Sequence, residues 1–185
     1  MTTLSEKTLT FIFPDNWEVI KYDESHFFRN HIDKCQGSKA VDILALSELG
    51  LFLIEIKDIR GHEIEYKQRL NKGEILFDLT QKVRDTIQGL YAAYRCQVEE
   101  LAPFYNYLYA NSKYATLTTR PQRQITVILF LEENRPFKML KSFKEIRSRF
   151  KIKMRNQLKY LNVRCDIYNK DNIPKQFGWD VIIFQ

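Results

Sequence analysis

The stretch AVDILALSELGLFLIEIKD, residues 40–58, constrains this chain more than any other. Two apolar runs, AVDILAL and LFLIEIK, flank the four-residue turn SELG with its glycine, the pattern of a β-hairpin. Each run interrupts itself with charge, Asp42 in the first and Glu55 and Lys57 in the second. Charge buried in a strand is costly unless it is paired or metal-bound. If Leu46 and Leu51 close the turn, opposed residue numbers sum to 97, so Asp42 faces Glu55 and Ala40 faces Lys57. Alternation with period two then puts Asp42, Glu55 and Lys57 on one face. Val41, Ile43, Phe52, Ile54 and Ile56 go to the other, wholly apolar face.

Two like charges opposed across a ladder destabilise it. A shared divalent cation relieves the repulsion, and hard carboxylate oxygens suit Mg²⁺ or Mn²⁺. A lysine two residues from one ligand neutralises an anion or orients a water, so the set suits phosphodiester cleavage. The competing reading is an Asp42–Lys57 ion pair on the wet side of an edge hairpin. The neighbours on the charged face, Ala40, Leu44, Leu46, Leu51 and Leu53, are mostly apolar. A partly covered face favours a site.

Around the hairpin the pattern is mixed. DESHFFRNHIDKC (23–35) has a helical stripe of Phe27, Phe28, His31 and Ile32, with Asp23 as N-cap. HEIEYKQ and EILFDL read as strands about the turn NKG, and residues 80–99 as a helix with Val83, Ile87, Leu90, Tyr91 and Tyr94 on one side. Residues 101–123 read as an aromatic loop or insertion. ITVILFLE (125–132) reads as a central strand covered on both faces. A helix at about 142–160 and the strands VRCDIY and DVIIFQ follow. The expected architecture is α/β, one mixed sheet between helices. No linker or repeat divides residues 1–185, so one domain is expected, with its core at about 20–135 and the basic helix and late strands at about 140–185.

Residues 135–164 hold eleven Lys and Arg against one acid, Glu145, while the whole chain is only +6. A one-sided basic segment suits a polyanion, and also suits plain solubility. Lys141, Lys144, Arg147, Arg149, Lys151, Lys153 and Arg155, scattered around the helix, are the expected phosphate contacts, made without reading sequence. Three well-separated cysteines fit a reducing cytoplasm and argue against a disulfide framework or a zinc site. Neither a signal peptide nor a bilayer-spanning run is present, so a cytoplasmic chain away from membranes is expected.

Asp42, twelve residues, then Glu55-Ile56-Lys57 resembles the D…(D/E)-x-K motif of the PD-(D/E)XK nuclease superfamily, with Val41 in place of the nominal proline. VDILALSELGLFLIEIKDIRG is most similar to nuclease-related (NERD-like) domains, with Gly50, Phe52, Glu55, Lys57 and Gly61 in matching places. The match covers about residues 40–61, and the element order extends it to about 132. The resemblance implies a restriction-endonuclease-like three-layer fold with an αβββαβ core, its mixed β-sheet flanked by helices. It implies that Asp42, Glu55 and the Ile56 carbonyl hold Mg²⁺ or Mn²⁺, and that Lys57 positions the attacking water. It further implies an acid from the first helix, Glu24 being best placed, with Asp23 and Asp33 behind it. The later helix would supply a polar rim residue, Gln81, with Lys82 and Arg84 nearby. Both Glu24 and Gln81 also suit solvated first turns of helices.

The expected function is metal-dependent hydrolysis of DNA, in defence, repair or mobile-element biology. The alternatives are an inactive nucleic-acid-binding module and an interaction domain of a larger protein. The family includes dimers that cut both strands, which leaves a homodimer open. No P-loop or kinase motif accompanies the hairpin.

Overall fold

The computed structural model describes residues 1–109, 124–134 and 141–184, with side chains of the helix beginning at Lys141 described from residue 147. Its strands are β1 (Thr2–Glu6), β2 (Leu9–Phe13), β3 (Glu18–Lys21), β4 (Ile43–Ser47), β5 (Gly50–Asp58), β6 (Ile125–Glu132), β7 (Arg164–Tyr168) and β8 (Asp180–Ile183). Its α-helices are α1 (Glu63–Lys72), α2 (Glu74–Cys96), α3 (Ala102–Tyr109) and α4 (Lys141–Gln157). Five strands form a mixed sheet in the order β3-β4-β5-β6-β7. The β3–β4 and β4–β5 pairs are antiparallel, and the β5–β6 and β6–β7 pairs are parallel. A second, antiparallel sheet has the order β1-β2-β8.

The two faces of the mixed sheet bury different partners. Leu44, Leu51, Leu53, Val127 and Leu129 join residues of all four helices, among them Tyr66, Leu79, Phe104 and Met154, in one apolar cluster. Ile43, Ala45, Phe52, Ile54 and Phe130 join Phe11, Phe13, Trp17, Trp179 and Val181 in another. The described helices therefore cover one face, and the small antiparallel sheet covers the other. The mixed α/β sheet expected from the sequence is present, but its second covering layer is a sheet rather than helices. Seven of the eight β6 residues are buried, as a strand between two cores requires.

Residues 63–79 are helical, not a strand pair. Period-two alternation in HEIEYKQ is overruled by Tyr66 and Leu70, one turn apart, which both face the core. Gly73 in the left-handed region (φ +80°) ends α1 and starts α2. Because α2 begins at Glu74, its buried stripe runs through Leu79, Val83, Thr86, Leu90 and Ala93, while Tyr91 is exposed. The 101–123 segment starts with α3, and its remainder from 110 lies outside the described residues. The 23–35 segment is short 3₁₀ and π turns behind β3, so a strand precedes it in the sheet. Asp23 caps nothing there. Ser25 Oγ accepts from the Phe28 N–H, the Glu100 carboxylate accepts from the Phe27 N–H, and His31 is exposed.

These turns lean on α2 at Gly89, where a Cβ would collide with the Tyr22 hydroxyl. That hydroxyl is buried without a hydrogen-bond partner. Gly89→Ala is expected to destabilise by about 1–3 kcal/mol through overpacking. In a Tyr22→Phe background the same change should stabilise by up to about 1 kcal/mol, because alanine is the better helix former. Urea unfolding of the four proteins of this double-mutant cycle checks the sign reversal.

Candidate active site

The hairpin has the expected register: Leu46 pairs with Leu51, and Ile43 with Ile54. The ladder stops there, and Asp42 is not a strand residue. Its side chain takes over the next ladder bond, with Asp42 Oδ2 accepting from the Ile56 N–H at 2.6 Å. Its main-chain oxygen accepts from the Tyr22 N–H at 2.9 Å. The chain peels off β5 at this point. Val41, expected on the far face, turns into the helix-side core instead, where its N–H donates to Thr86 Oγ1 at 3.1 Å. A residue's N–H and C=O point to the same edge of a strand, so the Ile56 carbonyl opens on the edge that Asp42 occupies.

Asp42, Glu55 and Lys57 meet on the helix side of the sheet, with a fourth member from α2. Lys82 Nζ lies 2.8 and 2.9 Å from the two Glu55 oxygens and 3.5 Å from Asp42 Oδ1. Lys57 Nζ lies 2.6 Å from Glu55 Oε1. The Glu55 side chain is 1% exposed, while Asp42, Lys82 and Lys57 are 13%, 17% and 28% exposed, so Glu55 is the closed end of the cluster. The same stripe of α2 clamps the strap ahead of β4. Asp78 pairs with Lys39 Nζ at 2.6 Å, Asp85 accepts from the Lys39 N–H, and Thr86 accepts from Val41.

Burial, reinforced by the Asp42 charge, pushes the Glu55 carboxyl up to about 7 against the pull of Lys57 and Lys82. Burial alone would lower the Lys82 ammonium, but Glu55 and Asp42 hold it above its usual value. Asp23 is pushed up to about 6 by burial and then by Asp42, and its Oδ1 is buried without a partner. The position between the two carboxylates thus holds a positive charge, the Lys82 ammonium. Among the described residues no three His, Cys, Asp or Glu gather as a ligand set. Two carboxylates and a carbonyl nevertheless fit magnesium, which takes few protein ligands and keeps waters and phosphate oxygens.

The remaining candidates are placed differently. Glu24 is exposed and bound to Lys21 at 2.7 Å, so the half-buried Asp23 is the acid that the first helical segment turns toward Asp42. Gln81 Nε2 donates to the Gly37 carbonyl at 2.7 Å, which makes it part of the strap clamp. Its neighbour Lys82 reaches the carboxylates. The helical phase is the signal for this residue, since Lys82 flanks the buried Leu79–Val83–Thr86 stripe. On α4, which packs on the same sheet face as Glu55, Arg147 is buried and donates to the Leu131 carbonyl at 3.4 Å. That removes it from the expected phosphate contacts. Lys151 is paired with Asp166, while Arg149, Lys153 and Arg155 are exposed. The side chains of Lys141 and Lys144 lie outside the described residues. No described helix is long and apolar enough to cross a membrane.

No family model matches the chain, and no solved structure matches it. The sequence is similar to a cysteine–tRNA ligase of Neisseria meningitidis, 36% identical over 119 residues, covering 50% of this chain and 17% of the ligase. The chain therefore corresponds to a small part of that protein's length.

The Glu55 environment sets a pH dependence. A carboxyl near 4.5 when unfolded and about 7 when folded binds more protons in the folded state between those values. Its contribution to stability is therefore greatest below about 4.5 and is lost as pH rises through about 7, by at most about 3 kcal/mol. Metal-free stability, measured by urea unfolding, should fall from pH 5 to pH 8, and Glu55→Gln should flatten that fall.

Proposed function

We propose that the chain is a metal-dependent nuclease of the PD-(D/E)XK kind, with a restriction-endonuclease-like core, hydrolysing phosphodiester bonds in DNA. The observation that carries this reading is the convergence of Asp42 and Glu55 on one ammonium, with Lys57 on the same Glu55 oxygen. The order β4-β5, helix, β6 with β6 parallel to β5 supports the fold assignment.

Asp42 Oδ1, the Glu55 carboxylate and the Ile56 carbonyl would hold Mg²⁺ or Mn²⁺. A bound ion supplies Lewis-acid polarisation of the phosphate and a more acidic water. The Ile56 N–H fixes the Asp42 rotamer by binding Oδ2, which leaves Oδ1 turned to the site. Lys57, the more exposed of the two lysines, would orient the attacking water and neutralise charge that develops on the phosphate. Lys82, which holds the position between the carboxylates, would have to yield it to a metal, and its flexible stem would allow the ammonium to turn to the phosphate. Arg149, Lys153 and Arg155 on α4 supply a field for the backbone rather than base readout. The second reading is a nucleic-acid-binding module without cleavage, or an interaction domain of a larger protein. The match to a segment of a tRNA ligase, 17% of its length, favours that setting.

Plasmid DNA with Mg²⁺ or Mn²⁺ tests the proposal: the protein should nick or linearise it, and EDTA should stop the reaction. Lys57→Ala should abolish cleavage, and so should Asp42→Asn. Melting separates the two. Mg²⁺ at a hundred times its dissociation constant should stabilise the wild type and Lys57→Ala by about 2.7 kcal/mol, and Asp42→Asn by far less. Equal responses in all three would favour the binding module. Replacing Arg149, Lys153 and Arg155 together with Gln should flatten the log K against log salt slope for duplex DNA by about 3.

A further inference from the structure

A cavity of about 120 Å³ lies on the sheet face opposite Glu55, at the start of β6 and β7. Phe52 is its floor, Tyr168 and Phe177 are aromatic walls, and Arg164, Asp166 and Gln176 give it a polar rim. Phe177 stands edge-on to both Phe52 and Tyr168, at 72° and 78°, so the rings form perpendicular walls rather than one closed stack. The Phe177 ring is also stacked on Trp179, which fixes the 3₁₀ turn Lys175–Phe177 that carries it. Asp166 is steadied by Lys151, while Arg164 and Gln176 are exposed at the mouth. The cavity is thus built by the sheet and by a braced turn. It shares no residue with the Asp42–Glu55 cluster.

Aromatic walls with a few convergent polar groups are the usual make-up of a small-molecule site. The cavity is smaller than the enclosed one of about 150 Å³ that takes up benzene, so it holds at most one planar ring, with the rest of a ligand outside its open mouth. A plain hydrocarbon ring would make no use of the amide, carboxylate and guanidinium groups at the rim. A pyrimidine offers a π face to the walls and an edge of donors and acceptors to Gln176 and Asp166. Its ribose and phosphate would stay at the mouth, beside Arg164.

We propose that this cavity binds a nucleobase, whether from a free nucleotide or from a single strand, at a site separate from the Asp42–Glu55 cluster. The experiment titrates the intact chain in EDTA with cytidine monophosphate, uridine monophosphate, a short single-stranded oligopyrimidine and ribose 5-phosphate. Working without a divalent ion makes the result independent of the cleavage proposal. Tryptophan fluorescence is the reporter, since Trp17 and Trp179 touch Phe52 and Phe177. At least one base-bearing probe should bind with Kd below about 1 mM, and ribose 5-phosphate at least about tenfold more weakly. The mononucleotide and oligonucleotide arms show which source binds more tightly. Phe177→Leu and Gln176→Ala should each weaken binding by about tenfold or more. Gln176 is exposed, so its variant keeps the test valid if Phe177→Leu unfolds. No binding, equal binding of ribose 5-phosphate, or unchanged affinity in Gln176→Ala would overturn the proposal.

Discussion

The hydrogen bond from the Ile56 N–H to Asp42 Oδ2 holds the candidate site together. A regular ladder would have given that donor to a main-chain carbonyl of the partner strand. A side-chain carboxylate takes it instead, and the ladder ends at the Ile43–Ile54 pair. The amide stays satisfied, so opening the strand edge leaves no buried orphan donor there. The same bond fixes which Asp42 oxygen faces Glu55. Backbone pairing and site geometry are therefore one event.

Helix α2 works as a strut against that opened edge. Asp78, Lys82, Asp85 and Thr86 recur at helical spacing and hold the 39–41 strap on one side and Glu55 on the other. A carboxylate 1% exposed needs compensation, and two ammonium groups on its oxygens provide it. Replacing such a buried ion pair with apolar residues of similar volume is often neutral or stabilising. Two acids and two lysines beside a large apolar core are thus not something that stability requires. The Asp23 Oδ1 near Asp42 is likewise buried, and it has no hydrogen-bond partner.

The sheet separates two environments. On its helix side lie the charges and a long apolar core. On its other side Phe11, Phe13, Trp17, Phe52, Phe177 and Trp179 form a dense aromatic cluster, capped by the β1-β2-β8 sheet. That cap does not fill the start of β6 and β7, which is why a cavity forms there. Gly50 sits at the same end of β5, with φ +123° and no room for a Cβ beside the Gln124 carbonyl. Its backbone approaches β6 so closely that the Leu51 N–H donates to Gln124 at 3.0 Å.

The hairpin, its register and the shared face of Glu55 and Lys57 were legible in residues 40–58, because period-two alternation and a short turn leave one consistent pairing. The buried strand at 125–132 was legible for a similar reason, as only a doubly covered strand is apolar along its whole length. Residues 63–79 were misread because short alternating runs fit a strand and a helix alike, and the core chose the helix. The covering sheet went unread because β1, β2 and β8 are short and come from opposite ends of the chain. Lys82 rather than Gln81, and Asp23 rather than Glu24, face the carboxylates because helix phase and turn geometry depend on what those elements pack against. The sequence by itself determined the hairpin register and the shared face of Glu55 and Lys57, a consequence of local pairing. Tertiary packing alone decided that Asp42 leaves the ladder, that Lys82 bridges the acids and that α4 hides Arg147. Each of those outcomes needs partners far away in the chain.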